Sequence, residues 1–328
     1  MGLRVSPKLG VNANQRLHRR DLLHASKLGP ERPKPHPMDY VGRIFRPPSE
    51  ASSLLLQVTV GCSHNRCAYC DMYRDKRFAA KPWEIVEEDI ERARALGPRF
   101  SRVFLCDGDA LILSTDRLVR ILERLRERVP WVERVGTYGD TRSVGRKSVD
   151  ELRQLADLGL GIVYHGVESG SDEVLRFIDK GGTAAECVDT AKKLREAGLI
   201  HSVIVLLGIG GTRLSAAHAR DTARLLTEMD PPFVGALTTT VVPGTPLAEL
   251  EERGEFELPG KFGLLSELRT LIADSSFSGC RFSSNHASNY LPVRADLPAR
   301  KAELVRVLDG VIAEADESKL KPEWMRGL

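Results

Sequence analysis

From residue 54 onward, strand-like and helix-like patterns alternate, and this alternation limits the possible folds more than any other feature. Strand candidates are 54–60, 102–106, 132–138, 160–166, 202–208 and 234–242. Helical patterns lie between them, near 83–96, 115–128, 148–158, 171–178 with 183–197, and 214–228. Six βα units in series predict a parallel sheet, because each helix returns the chain to the same edge. Periodicity alone fits a partly closed barrel or a doubly wound sheet.

Local signals mark several helix boundaries. The pattern in 115–128 places apolar residues on one helix face, at Leu118, Ile121, Leu122 and Leu125. Thr115 and Ser148 are predicted N-caps, and Gly159 and Gly198 are predicted helix stops. In either parallel architecture the reactive groups belong at the carboxyl ends of the strands.

The loop after the first predicted strand holds three of the six cysteines, in Gly61-Cys62-Ser63-His64-Asn65-Arg66-Cys67-Ala68-Tyr69-Cys70. Three thiolates so close together suit a soft metal or an iron–sulfur cluster. A structural zinc site normally needs a fourth Cys or His, and the chain has no second Cys-x-x-Cys. Three ligands with one open coordination position are the arrangement that a substrate-binding cluster requires.

With an aromatic residue before its last cysteine, this loop resembles the radical S-adenosylmethionine (radical SAM) superfamily. The usual spacing is Cys-x3-Cys-x2-Cys, and the Cys-x4-Cys-x2-Cys found here lengthens the loop without removing a ligand. The resemblance implies a partial TIM barrel, (β/α)6, and one [4Fe–4S] cluster bound by Cys62, Cys67 and Cys70. It implies reductive cleavage of S-adenosylmethionine to a 5′-deoxyadenosyl radical that abstracts hydrogen from a substrate. A reductant such as flavodoxin or ferredoxin is the implied partner.

Other strand ends carry further parts of the resemblance. Cys106-Asp107-Gly108-Asp109 resembles the family's Gly-Gly-Glu element, which implies that Gly108 and Asp109 meet the methionine amino group. An ordinary Asp-Gly turn is the alternative. Tyr69 stands where the family places an aromatic residue near the adenine.

Two later segments resemble one branch of the superfamily, which contains anaerobic coproporphyrinogen dehydrogenase, the Elongator catalytic subunit and the tRNA methylthiotransferases. Glu168 and Lys180 have the branch's separation of twelve positions. The resemblance implies that Glu168 accepts hydrogen bonds from the ribose hydroxyls and that Lys180 meets the methionine carboxylate. A surface ion pair is the alternative. Pro243-Gly244-Thr245 resembles the segment that closes the barrel in the same branch, so the resemblance covers about residues 54–250.

The two ends of the chain are predicted to be separate regions, with the radical SAM core at 51–248 between them. Residues 1–50 have seven prolines, a net charge of +6 and the basic cluster Arg16, Arg19, Arg20. This extension is expected to lie on the surface or to contact an acidic partner or RNA. Residues 249–328 are predicted to be mainly helical, with a helix at 299–316. Their polar loop 284–292 is expected to fold over the barrel mouth, where His286, Tyr290, Asn285 or Asn289 would touch substrate. A surface loop whose polar groups bond to one another is the alternative.

Composition excludes some classes and leaves others open. No apolar run approaches the roughly 20 residues of a membrane span, and no apolar signal core begins the chain, so a cytoplasmic protein is expected. The net charge of +3 is too small to argue for nucleic acid by itself. A non-catalytic haem- or cofactor-trafficking protein on the same fold and a zinc-binding barrel protein are the alternatives. Tetrapyrrole, RNA, peptide and small metabolite all remain possible substrates.

Overall fold

The computed structural model describes residues 38–327, which belong to the unit Pro37–Leu328. The basic cluster of the predicted extension 1–50 lies outside the described residues. In the part of the chain that the structure describes, no helix is both long enough and apolar enough to cross a membrane.

One large sheet organises the described residues and confirms the predicted α/β fold class. Its strands run in the order β1-β4-β5-β6-β7-β8-β9-β10. All neighbours are parallel except β9 and β10, which form an antiparallel hairpin, and β2 pairs with β3 in a separate ribbon. The strands are β1 (Leu54–Gln57), β2 (Thr59–Val60), β3 (Ala79–Ala80), β4 (Arg102–Cys106), β5 (Arg134–Tyr138), β6 (Leu160–Glu168), β7 (Ile200–Leu207), β8 (Phe233–Thr238), β9 (Cys280–Ser283) and β10 (Arg294–Leu297).

Helices connect the parallel strands as the sequence predicted. They are α1 (Trp83–Leu96), α2 (Thr115–Arg128), α3 (Thr141–Gly145), α4 (Val149–Asp157), α5 (Asp172–Phe177), α6 (Ala184–Glu196), α7 (Gly211–Met229), α8 (Pro246–Glu252), α9 (Lys261–Asp274) and α10 (Lys301–Glu314). Short 3₁₀ helices occupy Pro48–Glu50, Ala110–Ile112, Glu317–Lys319 and Glu323–Met325.

The predicted helix boundaries hold with one correction. Ser148 is the N-cap of α4, and Gly159 and Gly198 follow the ends of α4 and α6 with positive φ angles of 107° and 75°. The N-cap of α2 is Ser114, whose hydroxyl accepts from the third amide of the helix, and not Thr115. Thr115 is already helical, and its hydroxyl donates to Glu151 on α4 at 2.7 Å.

Three predicted strands, 54–60, 132–138 and 234–242, are longer than the observed ones, and three short strands, β3, β9 and β10, were not predicted. The run 54–60 breaks at Val58. The run 234–242 stops at Thr238, because its neighbour β7 ends at Leu207 and offers no further partner. The short β9 and β10 add a hairpin to the mainly helical region 249–328. Each has four residues that alternate in burial, a pattern too brief to stand out in sequence.

Alternate residues of the strands face opposite layers. One face packs its branched residues against the helices, as Val203 and Val205 of β7 do. The other face is the inner one, and between β4 and β6 it is filled by aromatic rings. Phe104 packs edge to face on Tyr138 and Tyr164, with ring centroids 5.0 and 5.8 Å apart. Between β4 and β6 the inner face is therefore filled by packed aromatic side chains.

A buried carboxylate fixes the segment before the sheet to this inner face. Glu50, in the turn Pro48–Glu50, is fully buried. Its carboxylate accepts hydrogen bonds from the Arg134 guanidinium and the Tyr164 hydroxyl, both at 2.5 Å, and from Ser53. Strands β5 and β6 are thereby tied to the chain that precedes β1.

We expect Glu50→Ala to lower the free energy of unfolding by about 2 kcal/mol, because it leaves the buried Tyr164 hydroxyl and the partly buried Arg134 without their acceptor. Urea unfolding followed by circular dichroism measures this change. The matched control is Glu251→Ala on the exposed side of α8, which should stay within about 0.5 kcal/mol of the unchanged protein. Equal unfolding midpoints for the two variants would contradict the prediction.

Candidate active site

The cysteine loop follows β2 and is closed at its base by the β2–β3 ribbon, in which Thr59 pairs with Ala80 and Val60 with Ala79. Cys62, Cys67 and Cys70 are free thiols and partly buried. The sequence prediction placed them after the first strand of the sheet, and the structure agrees on that position.

Backbone hydrogen bonds hold the middle of this loop between two distant segments. The amide of Ala68 donates to the carbonyl of Ile178 at 2.8 Å, just after α5. The carbonyl of Ala68 accepts from the amide of Leu247 at 3.0 Å, at the start of α8. The first turn of α8, which directly follows the Pro-Gly-Thr segment, is therefore joined to the residue that separates Cys67 from Tyr69.

His64 fixes the loop to the segment that carries Lys180. Its Nε2 lies 2.5 Å from the carbonyl oxygen of Asp179, and burial lowers its pKa. Gly181 packs against the imidazole so closely that a Cβ there would lie 2.6 Å from the ring. Sequence reasoning gave His64 no role, because neither contact is local in sequence.

Glu168 and Lys180 form an ion pair, which is the alternative to the predicted cofactor contacts, but the pair is mostly buried and not on the surface. The Nζ of Lys180 lies 3.3 Å from a carboxylate oxygen of Glu168, and both side chains are mostly buried. Glu168 has a positive φ of 65° at an irregularity in the β6–β7 ladder, which turns it out of the strand. Burial alone would lower the pKa of Lys180, but Glu168 and the thiol of Cys67 raise it. Burial and the nearby Glu168 raise the pKa of Tyr69.

The electrostatics of the three thiols suit a positively charged group among them. Burial raises the pKa of Cys62, Cys67 and Cys70, in the last case to about 11, while the Lys180 ammonium acts in the opposite direction on each. A buried thiolate needs a compensating cation, and cluster irons supply one. The donor set thus fits a [4Fe–4S] cluster. Among residues 38–327, no three His, Cys, Asp or Glu side chains surround a point where a single metal ion could bind. A cluster has no such requirement, because each cysteine binds a different iron.

The turn after β4 lies directly against the cysteine loop. A Cβ added at Gly108 would lie 3.0 Å from the Cβ of Cys62 and 2.6 Å from the ring of Tyr73, so only glycine fits. The carboxyl of Asp109 accepts from the Ser63 hydroxyl at 2.5 Å and from the amide of Asp140 at 3.4 Å. Burial and the neighbouring Asp140 raise the pKa of Asp109 to about 7.

The segment after β5 completes the surroundings of Lys180. Asp140 caps α3 through the amide of Ser143 at 2.8 Å, and it accepts from Nε of Arg142 at 3.1 Å. Arg142, Lys180 and Gly166 line one small cleft. Nothing in the sequence selects Tyr138, Asp140 or Arg142 as a site residue, because side-chain direction after a strand is set by tertiary packing.

The C-terminal loop 284–292 lies at the carboxyl end of β8. The Thr238 hydroxyl donates to Asn289 at 2.8 Å, and the Thr238 amide donates to Ser288 at 3.1 Å. His286 is half-buried and lies 3.0 Å from the Ser288 hydroxyl. The predicted substrate contact of His286 stays a prediction.

Tyr290 and the isolated Cys280 lie in the core between sheet and helices. The Tyr290 hydroxyl donates to Glu323 at 2.8 Å and accepts from Arg326 at 2.5 Å. These contacts join Tyr290 to the C-terminal segment and involve no residue of the cysteine loop. The catalytic role of Tyr290 stays a prediction, and Cys280 is a buried core side chain.

Comparison with known proteins identifies the family. The family model described as "Radical SAM superfamily" matches residues 56–226. The chain is 28% identical over 214 residues to biotin synthase of Chromohalobacter salexigens, covering 63% of this chain and 55% of the relative. It is 22% identical over 202 residues to heme chaperone HemW of Lactococcus lactis, covering 61% and 52% respectively.

The fold resembles that of coproporphyrinogen III oxidase (HemN) from Escherichia coli, a radical SAM enzyme, with a TM-score of 0.50 and 16% identity. That match covers 67% of this chain and 51% of the other. The chain thus spans about half the length of the curated relatives it matches. The predicted branch is consistent with these matches, and the predicted cofactors, a [4Fe–4S] cluster and S-adenosylmethionine, are those of the family. Since the family model matches more than half of its residues, the chain belongs to the radical SAM superfamily.

Proposed function

We propose that this chain is a radical SAM enzyme acting on a substrate that is not yet identified. When bound, the [4Fe–4S] cluster and S-adenosylmethionine supply reductive cleavage to a 5′-deoxyadenosyl radical, which abstracts hydrogen from the substrate. The observation that carries the proposal is the fixed position of three free, partly buried cysteines beside the Glu168–Lys180 pair. Cys62, Cys67 and Cys70 would hold the cluster.

The remaining residues would bind and orient S-adenosylmethionine. Lys180 offers its charge to a carboxylate, and Glu168 accepts hydrogen bonds from hydroxyl groups. Glu168 and Lys180 now pair with each other at 3.3 Å. A ligand carboxylate at Lys180 would take over the negative charge that Glu168 now supplies. Gly108 lets the turn after β4 approach Cys62 closely, Asp109 accepts a hydrogen bond from Ser63 of the cysteine loop, and Tyr69 belongs to that loop.

The similarity to a heme chaperone supports one alternative, a trafficking protein on the same fold that performs no turnover. Both functions need the same fold, so only chemistry separates them. A reductant such as flavodoxin or ferredoxin serves the enzyme alone.

The first experiment reconstitutes the protein anaerobically, reduces it, adds S-adenosylmethionine and measures 5′-deoxyadenosine. We expect the unchanged protein to form 5′-deoxyadenosine and Cys67→Ala to form none, because the variant removes one of three cluster ligands. Cys280→Ala is the matched control, since this buried cysteine lies outside the loop, and it should retain formation. Four irons per chain without any 5′-deoxyadenosine would favour the trafficking alternative.

A second variant tests the carboxylate contact. We expect Lys180→Gln to weaken S-adenosylmethionine binding about tenfold, because a charge-assisted hydrogen bond contributes roughly 1.5–3 kcal/mol. Equilibrium binding to the reconstituted protein measures the change, and iron content should match that of the unchanged protein. Lys192→Gln on the exposed face of α6 is the control and should bind normally. Unchanged affinity in Lys180→Gln would refute the assignment.

A third variant tests the loop 284–292. We expect His286→Ala to lower turnover severalfold while S-adenosylmethionine binding and unfolding stay unchanged, because the half-buried imidazole would contact substrate rather than cofactor. Tyr290→Phe should instead lower the urea midpoint, since it removes the hydroxyl bonded to Glu323 and Arg326. Turnover of His286→Ala equal to that of the unchanged protein would contradict a substrate contact at His286.

A further inference from the structure

One row of residues crosses the inner face of the sheet from the candidate active site to the edge strand. Strand pairing places the residues of this row side by side, in the order Gly166, Ile204, Gly235, Ser283 and Arg294. All of them are half-buried or exposed. Their neighbours along the last four strands, Val203, Val234, Phe282 and Ala295, are buried against the helices. The row is therefore the accessible strip of the inner face at these strands, and we call the space above it the groove.

The groove begins at the Glu168–Lys180 pair. Gly166 and Lys180 line the same cleft. A Cβ added at Gly166 would lie 2.3 Å from a carboxylate oxygen of Glu168 and 3.4 Å from the Nζ of Lys180. Whatever occupies the groove at this end lies next to the residues that would hold S-adenosylmethionine.

The middle of the groove is apolar and open. A Cβ added at Gly235 would meet only the Cδ1 of Leu237 at 3.8 Å and the carbonyl oxygen of Val203 at 3.9 Å. Ile204, Phe233 and Leu237 around it are half-buried. The inner-facing residues of β7 and β8 carry no charge. They also leave open space, whereas aromatic rings fill the inner face at β4–β6. An apolar group bound here would cover these side chains without removing any charged group from water.

The far end of the groove is basic. Arg281 pairs with Asp296 at 3.1 Å, whereas Arg294 forms no ion pair with any residue of 38–327. Four strand spacings of about 4.8 Å separate Gly166 from Arg294, a distance of about 19 Å. An exposed guanidinium at the end of an apolar floor suits a carboxylate or a similar acidic group.

We infer that this groove is the substrate site and that it takes an elongated molecule with an apolar body over Gly235 and an acidic end at Arg294. This inference rests on the proposed function, because it supplies the substrate class for the same site. Gly235 determines specificity, since any larger side chain there fills the groove. The Ser283 hydroxyl donates to Asn285 at 2.6 Å. The polar loop 284–292 therefore borders the end of the groove at which Arg294 would meet the acidic group of the ligand.

The test titrates the full chain with octanoate and with octan-1-ol by calorimetry. We expect octanoate to bind more tightly than octan-1-ol in the unchanged protein, because only octanoate pairs with Arg294. Gly235→Leu should weaken octanoate binding about tenfold or more by filling the groove. Arg294→Gln should reduce octanoate affinity to that of the alcohol. The control Gly310→Leu places the same side chain in open space on α10 and should bind octanoate normally.

Two results would overturn the inference: no octanoate binding at millimolar concentration, or equal octanoate binding by Gly235→Leu and the unchanged protein. Iron content and 5′-deoxyadenosine formation are measured on the same preparations, and the control Gly310→Leu should match the unchanged protein in both. Formation of 5′-deoxyadenosine without octanoate binding rejects the groove and leaves the proposed function intact. Octanoate binding that responds to both groove variants, without 5′-deoxyadenosine, supports the groove and rejects radical catalysis.

Discussion

The buried ion pair between Lys76 and Asp107 is the contact on which the site depends. Lys76 Nζ lies 3.1 Å from a carboxylate oxygen of Asp107, and the side chains are 5% and 0% exposed. The same oxygen accepts from the amide of Gly61 at 3.2 Å and from Gln57 at 3.0 Å. The turn after β4, the end of β1 and the start of the cysteine loop are thus joined at one atom. Because a lone charge buried here would be costly, all these segments keep one arrangement.

The remaining anchors bring together segments that are far apart in sequence. Ala68 bonds to Ile178 and Leu247 through its backbone, and His64 lies against Asp179 and Gly181. Backbone groups in a loop need partners, and here the ends of α5 and the start of α8 provide them. The cysteines consequently lie beside Lys180, although more than a hundred residues separate them along the chain.

Helices α7 and α9 position the ends of two central strands, and the β9–β10 hairpin of the C-terminal region adds two strands to the sheet. Glu267 of α9 accepts from the amide of Gly208 and the hydroxyl of Ser215, both at 2.6 Å, and burial raises its pKa to about 7. His218 of α7 lies 2.8 Å from the hydroxyl of Ser169, the residue after Glu168. Glu267 thereby positions the residue after β7, and His218 positions the residue after β6, while the β9–β10 hairpin extends the same sheet. Aromatic side chains fill the inner face between β4 and β6. The open part of the inner face is therefore at β7 and β8, next to the β9–β10 hairpin.

The sequence by itself determined the βα order, the three-cysteine loop and the separation of Glu168 from Lys180, because periodicity and short motifs are local properties. It also placed Ser148 and Gly159 at the ends of α4. Only the tertiary structure decided the β9–β10 hairpin, the engagement of the Tyr290 hydroxyl by the C-terminal segment and the row that ends at Arg294. Each depends on strand register or on side-chain packing between distant segments. Pairing energies between remote residues leave no signal in one sequence, so they become readable only when the chain is folded.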